Sequence, residues 1–259
     1  SVATNKTRTD FAPRTELLAE IFSGIAAVLK NDGAMQLVIV HGAGGEVHAL
    51  AKRYDLRSGI NGDPERLRGA LETKLAVQRL HHEVVKAAVM TGVMAVSVGT
   101  SDVLTQIAGG NLQLDVNRIQ QLLTLGAVPV LHGDMVYDER WGMSICSGDV
   151  IVSELAGALQ PELVAYATDV AGIYTDNPHT KPEAVLLEEV QLSQLNQTVI
   201  LSGSQNIDVT DGLRGKVVAC SEALQNEGVQ GVHVFDGREP QNYRKLLQGE
   251  NFVHTIIKK

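Results

Sequence analysis

The stretch from Val38 to His48, VIVHGAGGEVH, restricts the fold more than any other part of this chain. Val38, Ile39 and Val40 are β-branched, apolar and uninterrupted, which suits a strand buried on both faces of a parallel sheet. Gly42, Gly44 and Gly45 then permit backbone conformations closed to other residues and let a ligand approach the main chain. From Glu46 to Tyr54 the pattern becomes helical. Strand, glycine turn and helix start in succession aim N–H groups and the positive end of a helix dipole at one spot, suited to an anion such as phosphate. His48 is expected in the first helical turn, beside that anion. The spacing is neither GxGxxG nor GxxxxGK[ST], and glycine turns of this kind also occur without ligands, so its meaning depends on the rest of the chain.

At 259 residues the chain can bury a sizeable core, and it is expected to form one compact domain over 1–259. Within it, residues 1–127 would act as a substrate-side lobe and 128–259 as a nucleotide-side lobe. A net charge of −8 with no dominant basic patch argues against a nucleic-acid partner. Cys146 and Cys220 are too few and too far apart for a metal motif and read as reduced, buried thiols of a cytoplasmic protein. No apolar run approaches the ~20 residues that span a bilayer, and no secretory signal opens the chain, so no membrane partner is expected.

The remaining elements alternate. Apolar residues at helical spacing from Thr15 to Leu29 predict a helix, and Arg57 to Arg68 a mobile loop. A long helix is expected from Pro64 or Glu65 to Met90, with Leu71, Leu75, Val77, Leu80, Val84 and Val85 on its buried side. His81 and His82, adjacent and therefore on different faces, are given no chemistry. Strands are expected at Val93 to Val98, Val128 to Leu131, Leu163 to Thr168, Gly231 to Phe235 and Phe252 to Ile257. A hairpin is expected between Asp134 and Ser147, and helices at Val116 to Leu125, from Ser147-Gly148-Asp149 to Leu159, and up to Leu224. Asp149 suits a helix N-cap or first turn, and Asp169 follows a strand, where open parallel sheets gather ligands. The pattern is α/β: a three-layer α/β/α sandwich around a mainly parallel sheet.

Five stretches in this order, VHGAGGEVH, VPVLHGD, SGDVI, ATDVAGIYTDNP and DVTDGLRGK, resemble the amino acid kinase family over essentially the whole chain. Within the family the likeness is to the isopentenyl phosphate group, with fosfomycin-phosphorylating kinases as near relatives. The resemblance implies transfer of the γ-phosphoryl group of ATP, with Mg²⁺, to the phosphate of a small isoprenoid monophosphate. By that resemblance Gly44, Gly45 and His48 would receive the acceptor phosphate, and Gly148 and Asp149 would face the transferring group. Asp169 would orient lysines and border the nucleotide. Thr210, Gly212 and Lys216 would form part of the ATP pocket, and Lys6 would reach toward the γ-phosphate. No residue is singled out as a metal ligand. A homodimer through the surface of the long helix is also implied.

The chain departs from the family pattern in four places. The family's opening strand, with a lysine and two glycines, has no counterpart ahead of Ser1, and such a strand is expected to precede it for full activity. Gly45-Glu46-Val47 stands where a serine, an aromatic and a glycine are usual. Asp211 replaces a glycine in the nucleotide loop and adds negative charge there. Phe252-Val253-His254-Thr255 lacks a glycine before the final strand. Two other readings remain open at this stage: a kinase for a phosphonate such as fosfomycin or another alkyl phosphate, and a non-catalytic ligand-binding protein on the same scaffold.

Overall fold

The computed structural model describes residues 2–4, 11–176, 178, 180–193, 219–225 and 228–259. Tertiary contacts divide the chain into two compact units, Ser1–Ile151 and Val152–Lys259.

The first unit runs α1 (Thr15–Asn31), β1 (Ile39–His41), α2 (Gly44–Arg53), α3 (Pro64–Met90), β2 (Ala95–Ser97), the short α4 (Thr100–Val103), β3 (Leu104–Gln106), β4 (Leu112–Leu114), α5 (Val116–Thr124), β5 (Val128–His132), β6 (Asp134–Asp138) and β7 (Gly142–Cys146); α6 (Gly148–Leu159) then crosses into the second. Strands β1, β5 and β2 form a parallel sheet with β5 in the middle. All five residues of β5 are buried, as its apolar run requires. Pro129 sits in that central strand although it has no N–H for the ladder. The register resolves this. Val128 and Val130 bond toward β2, so the Pro129 nitrogen faces β1 at a level above Ile39, where β1 has not yet begun.

A second sheet has the order β4-β3-β6-β7. The expected β6–β7 hairpin is closed by Asp138, whose carboxylate accepts the N–H groups of Ala108, Gly109, Arg140 and Trp141 and the hydroxyl of Ser144. Burial pushes this carboxyl up, but the donors outweigh it and hold the pKa at about 2. The segment before α3, expected as a mobile loop, is seated instead: Leu56 and Ile60 are buried with Ala70 and Met135, and the Ile60 and Asn61 N–H groups donate to Met143 and Trp141 carbonyls.

Helix α3 starts where Asp63-Pro64 predicts, with the Asp63 carboxylate capping the Glu65 and Arg66 N–H groups. Its buried residues are Gly69, Ala70, Thr73, Ala76, Val77, Leu80, His81, Val84 and Ala88, among them Val77, Leu80 and Val84 as expected. Leu71 and Leu75, expected inside, are 49% and 63% exposed. At 3.6 residues per turn they lie about 100° or more from the Ala70–Val77–Val84 line, and smaller residues fill the core side. Helix α3 packs on α1 and α2 and on strands β2, β5 and β6.

In the second unit β8 (Val164–Thr168), β9 (Ile173–Tyr174), β10 (Leu186–Leu187) and β11 (Glu189–Gln191) precede a helix at residues 219–224, here α7. Strand β12 (Gly231–Asp236), α8 (Pro240–Leu247) and β13 (Thr255–Lys258) follow. The sheet order is β11-β13-β12-β8, with β8 parallel to β12, β11 parallel to β13, and β12 antiparallel to β13. Val164, Tyr166, Val232, Val234 and Ile257 from the sheet bury against Ala219, Ala223 and Leu224 of α7.

The units meet within α6, not near residue 127. Strand β5 is the middle of the first unit's parallel sheet, and β6 pairs with β3 and β7, so the segment from Val128 to Cys146 belongs with the residues before it.

Candidate active site

At the end of β1 the chain passes through Gly42 and Ala43 into α2, which begins at Gly44. Gly44 has φ +85°, and a Cβ there would lie 3.0–3.1 Å from the Thr4 side chain and Leu80 Cδ2. Conformation and crowding both demand glycine at that position. Ala43, the N-cap residue, offers no side-chain acceptor to the helix start. The Gly45 N–H donates to Thr4 Oγ1 at 3.3 Å. Because the helix starts two residues before Glu46, His48 falls on its second turn rather than its first, where its side chain is exposed. A crevice between α2 and α3 adjoins the turn, walled by Phe11, Ala12, Ala43, Val47, Ala76 and Leu80. It holds about 10 Å³, room for a single water.

A second glycine-led helix starts beside the first. The Ser147 hydroxyl accepts the Val150 N–H at 3.3 Å and its carbonyl accepts the Ile151 N–H, so Ser147 caps α6 and Asp149 sits in the first turn, where the helix dipole favours a carboxylate. A Cβ on Gly148 would come within 3.3 Å of the His41 carbonyl oxygen, and one on Gly133 within 3.1 Å of the Gly148 nitrogen. The Gly133 N–H donates to the same His41 carbonyl at 3.0 Å. The starts of α2 and α6 therefore converge on the carboxyl ends of β1 and β5. Of the residues singled out from sequence, Gly44, Gly45, Gly148 and Asp149 are brought together there, with His48 one turn along α2.

Asp134, which follows β5, is spoken for. Its side chain is 1% exposed, and Lys74 Nζ lies 2.6 Å from Oδ2 while the Met135 N–H donates to Oδ1. Lys74 also donates to Ser101 Oγ and the Met135 carbonyl, so its three donors are committed to the fold.

In the second unit Asp169 follows β8, and its charge acts on Asp236 and Arg238 at the end of neighbouring β12. Arg238 grips the Asp236 carboxylate through both Nε and Nη2, at 3.0 and 2.6 Å. Burial pushes the Asp236 carboxyl up, and those bonds bring it below its usual range. The pair was missed in the sequence, although a strand ending in DGR is a visible signal. Lys6, Thr210, Asp211, Gly212 and Lys216 lie outside the described residues. Among the described residues no grouping of three or more His, Cys, Asp or Glu is suited to a metal, and no helix is long and apolar enough to cross a membrane.

Two glycine-led helix starts at the carboxyl ends of parallel strands are the frame of a phosphate-handling α/β protein. The chain belongs to the amino acid kinase family, whose model matches residues 1–236. It is similar to the isopentenyl phosphate kinase of Methanothermobacter thermautotrophicus, 34% identical over 238 residues that cover 90% of this chain and 88% of the relative. It is likewise similar to that of Methanocaldococcus jannaschii, 33% identical over 89% of this chain and 84% of the relative. A crystal structure of isopentenyl phosphate kinase superposes with a TM-score of 0.81 and 30% identity, covering 100% of this chain and 96% of the other. The α/β class and mainly parallel pairing expected from the sequence are those of this fold.

Proposed function

We propose that this protein is an ATP-dependent kinase that phosphorylates isopentenyl phosphate to isopentenyl diphosphate, in isoprenoid biosynthesis. The observation that carries the reading is the convergence of the α2 and α6 N-termini on the end of β1, within a chain whose relatives over most of its length are isopentenyl phosphate kinases. Transfer between two anionic oxygens passes through a loose transition state that asks for positive charge and alignment, with little covalent help. Helix N-termini supply fixed, preorganised dipoles for that purpose.

In this reading the first unit receives the acceptor and the second the nucleotide. The Gly44–Gly45 turn and His48 hold the acceptor phosphate. The acceptor already carries negative charge, so His48 serves as a donor and no strong base is needed. Gly148 and Asp149 face the transferring group, and Lys6 and Lys216 supply cations. Asp169, Thr210 and Gly212 border the nucleotide. Mg²⁺ would come in with the ATP phosphates and offset their charge, the usual manner of binding for a cation that keeps its waters and needs only one or two carboxylates, which Asp149 or Asp169 would supply. The crevice beside the turn has the apolar walls an isoprenoid tail prefers, and a tail seated there displaces Phe11 or Leu80. The buried thiols of Cys146 and Cys220 fit a reducing compartment and support a cytoplasmic location. The exposed Leu67, Leu71 and Leu75, spaced four apart on α3, support a homodimer through that helix.

The test is a coupled ADP-release assay on the full-length protein with isopentenyl phosphate, dimethylallyl phosphate and fosfomycin. Turnover with the two isoprenoid phosphates and none with fosfomycin is expected. Turnover with fosfomycin alone would reassign the acceptor, and silence with all three would leave a ligand-binding protein.

A further inference from the structure

Three histidines lie buried under the glycine turn, and none was given a role from the sequence, although two of them fall within VHGAGGEVH and VPVLHGD. They are His41 at the end of β1, His132 at the end of β5, and His81 on α3. His41 Nδ1 lies 2.9 Å from the Gly42 carbonyl oxygen, His41 Nε2 lies 3.0 Å from His81 Nδ1, and His81 Nε2 lies 2.8 Å from Ser97 Oγ. The His132 ring lies 4.5 Å from that of His81 and 5.6 Å from that of His41.

The carbonyl fixes the direction of this chain. A carbonyl oxygen only accepts, so His41 carries its proton on Nδ1. Its Nε2 is then an acceptor, His81 donates from Nδ1, and His81 Nε2 accepts the Ser97 hydroxyl. Every donor meets an acceptor from the end of β2, through α3, to the turn after β1. A trans peptide points its C=O and N–H in opposite directions. Holding the Gly42 oxygen against the imidazole therefore turns the Ala43 N–H away from the cluster.

We propose that Ser97, His81 and His41 form a positioning relay that locks the Gly42–Ala43 peptide with its N–H outward, in the state that receives the acceptor phosphate. The inference rests on reading the turn as the acceptor site. Protonation would undo the relay at His41, since a proton on Nε2 meets the His81 N–H. Burial opposes that, lowering the pKa to about 3 for His41 and about 4 for His81. The neighbouring His132 ring and His82 add to the lowering at His81. Around His132, burial also lowers the pKa and Lys74 adds to it, while Asp134 and Asp102 oppose it.

Two measurements test the relay. In ¹⁵N NMR at pH 7, His41 and His81 are expected as Nδ1–H tautomers; an Nε2–H tautomer at either ring would overturn the proposal. Titration of the wild type with inorganic phosphate is expected to shift the Ala43 amide resonance. His81→Asn, which keeps a donor toward His41, should retain that shift, and His81→Leu should lose it. With isopentenyl phosphate as acceptor, His81→Leu should raise the acceptor KM about tenfold with the ATP KM within about twofold, the size of a lost hydrogen bond to a charged group. Equal behaviour of the two variants in both measurements would reduce His81 to packing. Tautomers and the phosphate titration need no turnover, so they decide the relay even if none of the acceptors is phosphorylated.

Discussion

Exchange of His48 for alanine removes an exposed imidazole one turn into α2 without touching the core, so folding should be unchanged. The acceptor KM is expected to rise about tenfold or more, as for loss of a charge-assisted phosphate contact, with the ATP KM unaltered. Steady-state kinetics with each substrate varied would check this, and an unchanged acceptor KM would remove His48 from the site. The buried histidines make a different prediction. Above pH 6.5 His41 is neutral whether the chain is folded or not. Below it, the unfolded chain takes up a proton that folded His41 refuses until about pH 3. Stability should therefore fall as pH drops from about 6.5, by up to about 1.4 kcal/mol per unit for this residue alone. Urea unfolding at pH 7 and 5.5 measures the slope, and His81→Leu, which removes a second buried imidazole, should make it shallower. At this scale the sequence was an uneven guide. Gly44 was legible because a left-handed backbone position admits few other residues. His81 was not, because its partners His41 and Ser97 lie far away in sequence and only the fold brings them within 3.0 Å.

Helix α3 carries the first unit's interior, and the Lys74–Asp134 ion pair ties it to β6 beside the Ala70–Met135 packing. Lys74→Met leaves the Asp134 carboxylate buried without its cation and should cost roughly 3–5 kcal/mol in denaturant unfolding. Adding Asp134→Asn to that variant should recover a substantial part, because the stranded charge is then gone. If the single substitution were neutral, the pair would have no part in holding α3. Both ends of this helix were readable, at Pro64 and at Met90, because helix ends are set by local chemistry. Its buried face was readable only in part: Val77, Leu80 and Val84 are buried as expected. Leucine at 71 and 75 suggested core, but both are exposed, and Ala70, Thr73, His81 and Ala88 are buried beside the expected residues. Close packing selects small and β-branched side chains over much of that face, with Leu80 the buried leucine and Leu71 and Leu75 left outside.

For the whole molecule, the stripe of Leu67, Leu71 and Leu75 is the surface on which the homodimer proposal is tested. Light scattering after size exclusion should give twice the chain mass for the wild type and a monomer for Leu71→Lys with Leu75→Lys; a monomeric wild type would remove the dimer. What the sequence by itself determined was the alternation of short β-branched strands with helices, the glycine turn after β1 and the start of α6 at Ser147-Gly148-Asp149. Periodicity, capping and the steric privilege of glycine all act within a few residues. What only the tertiary structure decided was which of these ends meet. The placement of β5 between β1 and β2 moved the unit boundary into α6. It also brought Gly148 against the His41 carbonyl and gathered three histidines into one buried cluster. Register and burial are properties of strands packed together, and no local pattern encodes them.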